Sequence, residues 1–182
     1  LLDEQWREAN QRFTQFIEKN YATMLGADKR PIMSPDVLPS FIQNHLERDE
    51  NIVLILMDGL RADHLKAMTS QLAKVFHIKT DYYLSILPTS TSYSRNAIFS
   101  GYFPNKLQEK YKDLWIQMWQ DEHSMNRYED QFLRDHLDRL GMASKSVHYH
   151  KVLTYDEGIK LVNRIGEFKE VDLLAVVINF VD

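Results

Sequence analysis

The chain has 182 residues, no cysteine and a formal net charge of −4. That length suits one domain with a substantial core, the missing cysteines exclude disulfides and thiolate metal sites, and the mild acidity argues against bulk electrostatic capture of nucleic acid or membrane. No signal peptide is visible and no apolar run reaches the ~20 residues that cross a bilayer, so a cytoplasmic protein is expected, with no membrane partner. There is no initiating Met, and Asp182 follows directly on an apolar run; the chain is expected to belong to something longer.

In chain order, Asp3 to Met24 reads as a helix, with Trp6, Phe13, Phe16, Ile17 and Met24 toward one face. Ser34-Pro35 forms an N-cap followed by proline at the first helical position, and Leu38, Phe41, Ile42 and Leu46 continue as a helical apolar face. At residue 51 the pattern changes. Ile52–Met57 is a continuous apolar run, as expected of a strand buried on both faces of a parallel sheet. A helix over 61–75 follows, then a strand within 78–87, a turn at 88–90 and a short helix over 92–100 closed by Gly101. Helices are expected over 107–119 and 125–140, a strand over 145–149, a helix over 155–168 and a strand over 173–181. The alternation predicts an α/β fold with a mostly parallel sheet and helices on both faces. Residues 1–50 are read as a helical linker or dimerisation segment and 51–182 as the start of the main domain.

In such sheets ligands bind beyond the carboxyl ends of the strands. Asp58 ends the first strand, Thr91 opens a helix after the second, and Asp182 ends the last. A hydroxyl at a helix N-terminus faces unpaired N–H groups and the positive end of the helix dipole, a ready phosphate site. Threonine is a poor nucleophile until a divalent metal deprotonates it, and Asp58 and Asp182 are hard anionic ligands for such an ion. Taken singly, Asp58-Gly59 is an ordinary turn and the Thr-Ser run an ordinary helix cap. Their convergence on one sheet edge carries the argument.

Ile55-Leu56-Met57-Asp58-Gly59-Leu60-Arg61 resembles the first metal-binding motif of the alkaline-phosphatase superfamily. The stretch from Pro88 through Thr91 to Ser100-Gly101 and Pro104 resembles its nucleophile motif. Leu60-Arg61 and the Ser94-Arg95 pair after the threonine are similar to the PglZ branch. Residues 86–105 and 177–182 resemble the PglZ-containing response regulators of type IX secretion. The resemblance implies the N-terminal half of an alkaline-phosphatase-like domain and a zinc-dependent phosphodiesterase. Thr91 would be nucleophile and ligand of one of two zinc ions, Asp58 would bind the same ion and Asp182 the other. Arg95 and Asn96 are phosphate-contact candidates, although the family's phosphodiesterases carry asparagine at the place of Ser94. Nucleotide or oligonucleotide phosphodiesters are the implied substrates, with a homodimer, an upstream receiver domain and a sensor kinase as partners. The family's remaining metal ligands lie further downstream than Asp182, so this half alone is expected to be inactive.

His148 and His150 share a strand face, a spacing able to bind a metal, but the resemblance takes the family's histidine ligands from further downstream. Asp63-His64 reads as a solvated pair, and Trp115 and Trp119, with Met118, as packing residues rather than base-stacking ones. A haloacid-dehalogenase nucleophile would need an acid where Leu60 stands. A receiver's acidic pair, a glycine-rich phosphate loop and a Gly-x-Ser-x-Gly elbow are all absent. A reading of another class also remains: a non-catalytic regulatory interaction module whose metal is structural or sensory, with Trp6, Phe13 and Phe16 in a dimer interface.

Overall fold

The computed structural model describes residues 1–27, 29–120 and 125–179; Asp182 therefore lies outside the described residues. The chain divides into two compact units, Leu1–Ile32 and Met33–Asp182. The first is a single helix, α1 (Leu2–Gly26), which buries no residue. Trp6 is 72% exposed, and the Phe13 and Phe16 rings stack with centroids 6.5 Å apart.

The second unit holds short helices α2 (Val37–Phe41) and α3 (Gln43–Glu47), strand β1 (Ile52–Met57) and helix α4 (Ala62–Leu72). Helices α5 (Thr91–Ser100), α6 (Pro104–Lys110), α7 (Lys112–Trp119) and α8 (Glu129–Arg139) follow. Strand β2 (Val147–Val152), helix α9 (Tyr155–Arg164) and strand β3 (Leu173–Ile178) complete it. All three strands are parallel, in the order β1-β3-β2. No helix among the described residues is long and apolar enough to cross a membrane.

Strand alternation explains the layering. Leu173, Ala175 and Val177 of β3 enter a core with Leu38, Ile42 and Leu46, Phe99 of α5, and Phe132, Leu133 and Leu137 of α8. Leu174 and Val176 turn the other way, against Val152 and Leu161. The central strand is thus covered on both faces, by different helices. β1 departs from expectation: Ile52, Leu54 and Leu56 join the main core, but Val53 and Ile55 are 56% and 54% exposed. An edge strand gains cover on its second face only from what lies beside it; α9 packs mainly on β2 and the turn over Ile165–Phe168, and Val53 and Ile55 line an open cleft that Ile159 and Val162 of α9 border.

Two other expectations change. Over 78–87 only Leu84 pairs, through one parallel bridge to Met33, while Ile86 is buried and its N–H donates to Ser34 Oγ at 3.1 Å. The polar run Lys79-Thr80-Asp81 interrupts the apolar pattern and ends in an ion pair of 3.0 Å between Lys79 and Asp81. The single helix expected over 107–119 is broken at Tyr111, which leaves helical geometry (φ −127, ψ 51). Its ring packs on Phe132 at 5.0 Å and its hydroxyl donates to Asp135 at 2.9 Å, so tertiary contacts override local propensity.

Gly101 ends α5 in the left-handed region at φ 67, and a Cβ there would lie 2.3 Å from His136 Nε2. Gly101→Ala should therefore lose at least about 2 kcal/mol of stability, part from the left-handed backbone and part from the clash; urea unfolding measures it. His136 is itself buried, with Nδ1 donating to the Phe99 carbonyl at 3.2 Å. Burial and then the charge of Arg139 lower its pKa to about 4, against a small opposing effect of the Phe99 hydrogen bond. The unfolded chain keeps a histidine pKa of about 6.5 and so binds more protons than the fold between pH 6.5 and 4. Stability should be full above that window and fall as pH drops through it, by up to about 1.4 kcal/mol per pH unit. Chemical denaturation of wild type and His136→Gln across pH 7.5 to 4.5 checks this: the variant's curve should be flatter.

Candidate active site

The carboxyl ends of the strands meet in register. Met57 pairs with Ile178, and Val152 with Ile178 on the other side. The next residues continue the alignment: Asp58 N–H donates to the Ile178 carbonyl at 2.9 Å and Asn179 N–H to the Val152 carbonyl at 3.0 Å. Asp58 and Asn179 thus stand side by side on the rim where parallel sheets bind ligands.

Arg95, from the second turn of α5, joins them. It is 3% exposed, and one guanidinium nitrogen donates both to Asp58 Oδ2 at 2.9 Å and to Asn179 Oδ1 at 2.8 Å. Its remaining nitrogens form a two-pronged pair with Glu129 of α8, at 2.8 and 2.6 Å. Glu129 is fully buried and also accepts from the Tyr149 hydroxyl at 2.6 Å and from Asn126 Nδ2 at 3.0 Å, with Lys151 Nζ at 3.9 Å. Four of its neighbours thus share one carboxylate, which satisfies a charge that burial alone would make very costly. Burial works to lower the Arg95 pKa, but Glu129 and then Asp58 outweigh it and hold the guanidinium above its ordinary value. Burial, with the negative charge and hydrogen bond of Glu129 adding to it, raises the Tyr149 phenol. For Lys151 burial prevails and lowers the ammonium pKa, against the pull of Glu129.

Thr91 begins α5, one turn before Arg95, with Ser90 as the N-cap residue. An open cleft of ≈ 510 Å³ is lined by Thr91, Arg95, Asn126, Lys151 and Asn179 among others. The Thr91 hydroxyl makes no hydrogen bond among the described residues, while its backbone carbonyl accepts from Asn126 at 3.3 Å. Asp58 is not in the cleft lining and reaches it through Arg95. Asn96 is buried, and its amide donates to the carbonyls of Ser92 at 2.7 Å and Met125 at 2.9 Å, which ties α5 to the segment before α8. Asp63 pairs on the exposed surface with Arg61 at 2.7 Å. Trp115 and Trp119 pack with Tyr93 in an aromatic cluster.

Sequence reasoning missed Glu129, Asn179, Lys151, Tyr149 and Asn126. Lys151 and Asn179 were open to the strand-end rule that picked out Asp58. Glu129 carries no local signal, because its burial is created by the packing of α5 on α8.

Among the described residues no three His, Asp or Glu side chains gather into a metal set. Asp58 keeps one carboxylate oxygen unused by Arg95, and Thr91 offers a free hydroxyl. Both are hard oxygen donors suited to a divalent cation, and they could form part of a fuller set.

A parallel sheet layered by helices on both faces, with Asp58 closing β1 and Thr91 opening a helix over the same rim, defines an α/β fold with polar groups gathered at the carboxyl ends of its strands. The sequence profile described as the BREX system PglZ alkaline phosphatase-like domain matches residues 37–182, and the chain belongs to that family. No curated protein matches the chain. Folds of the alkaline-phosphatase type usually bind metals.

Proposed function

We propose that the chain carries the nucleophile of a zinc-dependent phosphodiesterase acting on nucleotide or short oligonucleotide phosphodiesters. Its setting would be a cytoplasmic, homodimeric response regulator of type IX secretion, driven by a sensor kinase through an upstream receiver; residues 86–105 resemble the corresponding stretch of PorX. The observation that carries the catalytic reading is the Thr91 hydroxyl, without hydrogen bonds among the described residues, at the N-terminus of a helix in a cleft shared with Arg95 and Lys151.

Two zinc ions, held by Asp58 and Thr91 and by Asp182, would supply the ionised hydroxyl and charge neutralisation that neutral threonine lacks. The ionised Thr91 oxygen attacks phosphorus in line, the bond to the leaving oxygen breaks, and the departing alkoxide takes a proton from solvent, leaving the rest of the diester esterified to Thr91. Water then attacks that phosphorus, the bond from phosphorus to the Thr91 oxygen breaks, and a proton of the water passes to the released threonine oxygen, giving the phosphate monoester and free Thr91. The α5 N-terminus would face the negative non-bridging oxygens, and Arg95, whose guanidinium is held by Glu129, Asp58 and Asn179, would add its positive charge from the cleft wall. Asn96 holds α5 against the residues near 125 and so shapes the phosphate subsite.

The test is zinc content of the intact protein together with turnover of bis-(4-nitrophenyl) phosphate. Zinc binding, loss of turnover with EDTA and recovery on adding zinc are expected. One observation favours the interaction-module reading: Asp58 already has a cationic partner in Arg95. Bound zinc with no turnover of any phosphodiester selects that reading, with Trp6, Phe13 and Phe16 of α1 in the dimer contact.

A further inference from the structure

A second cationic cleft borders the first. Along β2, Tyr149 and Lys151 turn toward Glu129, so His148 and His150 lie on the other face. The two imidazoles stack 6.3 Å apart at 17°, and the Phe168 ring lies 4.5 Å from that of His148. These three line a cleft of ≈ 390 Å³ together with Lys160 and Arg164, one turn apart on α9. Lys151 lines this cleft and the Thr91 cleft alike. Among the described residues β2 is an edge strand, so the side chain near its end is accessible from both faces.

The charge here is lopsided. Glu157 is the acid in the lining, and its carboxylate already accepts the N–H groups of Leu153 and Thr154 in the cap of α9. Arg164 is paired with Glu167 at 2.7 Å. Among the described residues Lys160 has no ion-pair partner, and neither histidine makes a hydrogen bond. Phe168 and Leu161 add apolar surface beside the cations. Cations flanking an aromatic surface are the combination that holds single-stranded nucleic acid.

We propose that the cleft between β2 and α9 binds a further phosphate of an oligonucleotide whose scissile phosphate lies at Thr91, the strand passing over Lys151. The proposal rests on the phosphodiesterase reading and extends it to substrates of more than one phosphate.

Binding of a fluorescein-labelled single-stranded hexanucleotide is measured by anisotropy on the intact protein carrying Thr91→Ala, with and without Lys160→Gln and Arg164→Gln. Both α9 side chains are exposed, so the fold should tolerate the change. Affinity should fall about tenfold, and the slope of log affinity against log salt should shrink by about 1.4, roughly 0.7 for each cation lost. Unchanged affinity and slope overturn the proposal, as does equal competition by an acidic peptide of matching charge. With Thr91 intact, the same pair of substitutions should raise KM for the hexanucleotide and leave bis-(4-nitrophenyl) phosphate turnover unchanged; equal losses on both substrates overturn it. Turnover surviving Thr91→Ala would refute the nucleophile assignment, while the anisotropy result still decides the second cleft.

Discussion

Glu129→Ala should lower the stability of the fold by about 3–5 kcal/mol, among the largest effects of any single substitution in this chain. The carboxylate is fully buried, and its removal strands Arg95, itself 3% exposed, with Asp58 as its remaining anion. The Tyr149 hydroxyl loses its acceptor in the same step, and the Asn126 amide is left with the Thr91 carbonyl; an unsatisfied buried polar group costs about 1–3 kcal/mol. Urea unfolding gives the number, and the melting temperature should drop by roughly 2–4 °C for each kcal/mol. Glu129→Gln keeps the volume but loses the charge, and it should fall between wild type and alanine. The double variant Glu129→Met with Arg95→Met should lose less than the sum of the two single changes, because removing both members of a buried pair avoids leaving one charge unpaired. A loss under about 1 kcal/mol for Glu129→Ala would show that water or Asp58 satisfies Arg95 without it.

The same cluster marks the limit of what the sequence discloses. Asp58 and Thr91 were legible because each sits where a pattern changes, an apolar strand giving way to a turn and a turn giving way to a helix. Those boundaries carry backbone N–H groups and strand ends, so the chemistry follows from the local pattern. Glu129 and Asp130 are adjacent acids in the first turn of α8, yet Glu129 is fully buried and Asp130 pairs with Arg134 at a half-exposed surface. No local pattern separates them; the packing of α8 on α5 does. Residues 34–47 read as part of a helical lead, but Leu38, Ile42 and Leu46 pack into the core beside β3. The parallel sheet was legible from the apolar runs at 52–57 and 173–181. Its order was not, because β3 enters between β1 and β2 only once both of its faces find cover.

Thr91→Ala in the intact protein should reduce phosphodiester hydrolysis by on the order of 10⁴-fold or more, since loss of a nucleophile removes the covalent route and not merely one contact. The fold should barely register the change. The Thr91 hydroxyl makes no hydrogen bond among the described residues, and Ser90, not Thr91, occupies the N-cap, so stability should stay within about 0.5 kcal/mol of wild type. That separation of activity from stability gives the experiment its force: a structural threonine would show the reverse. Thr91→Ser keeps an oxygen in place but frees its rotation, because serine lacks the methyl that restricts χ1. It should retain measurable turnover with KM little changed, and a phosphorylated or nucleotidylated residue 91 should be detectable by mass spectrometry after acid quench. If Thr91→Ala turned over at the wild-type rate, the attacking oxygen would have to come from water and the role of the α5 N-terminus would reduce to holding phosphate. An intermediate amplitude in Thr91→Ser with none in Thr91→Ala would place the covalent bond on this hydroxyl.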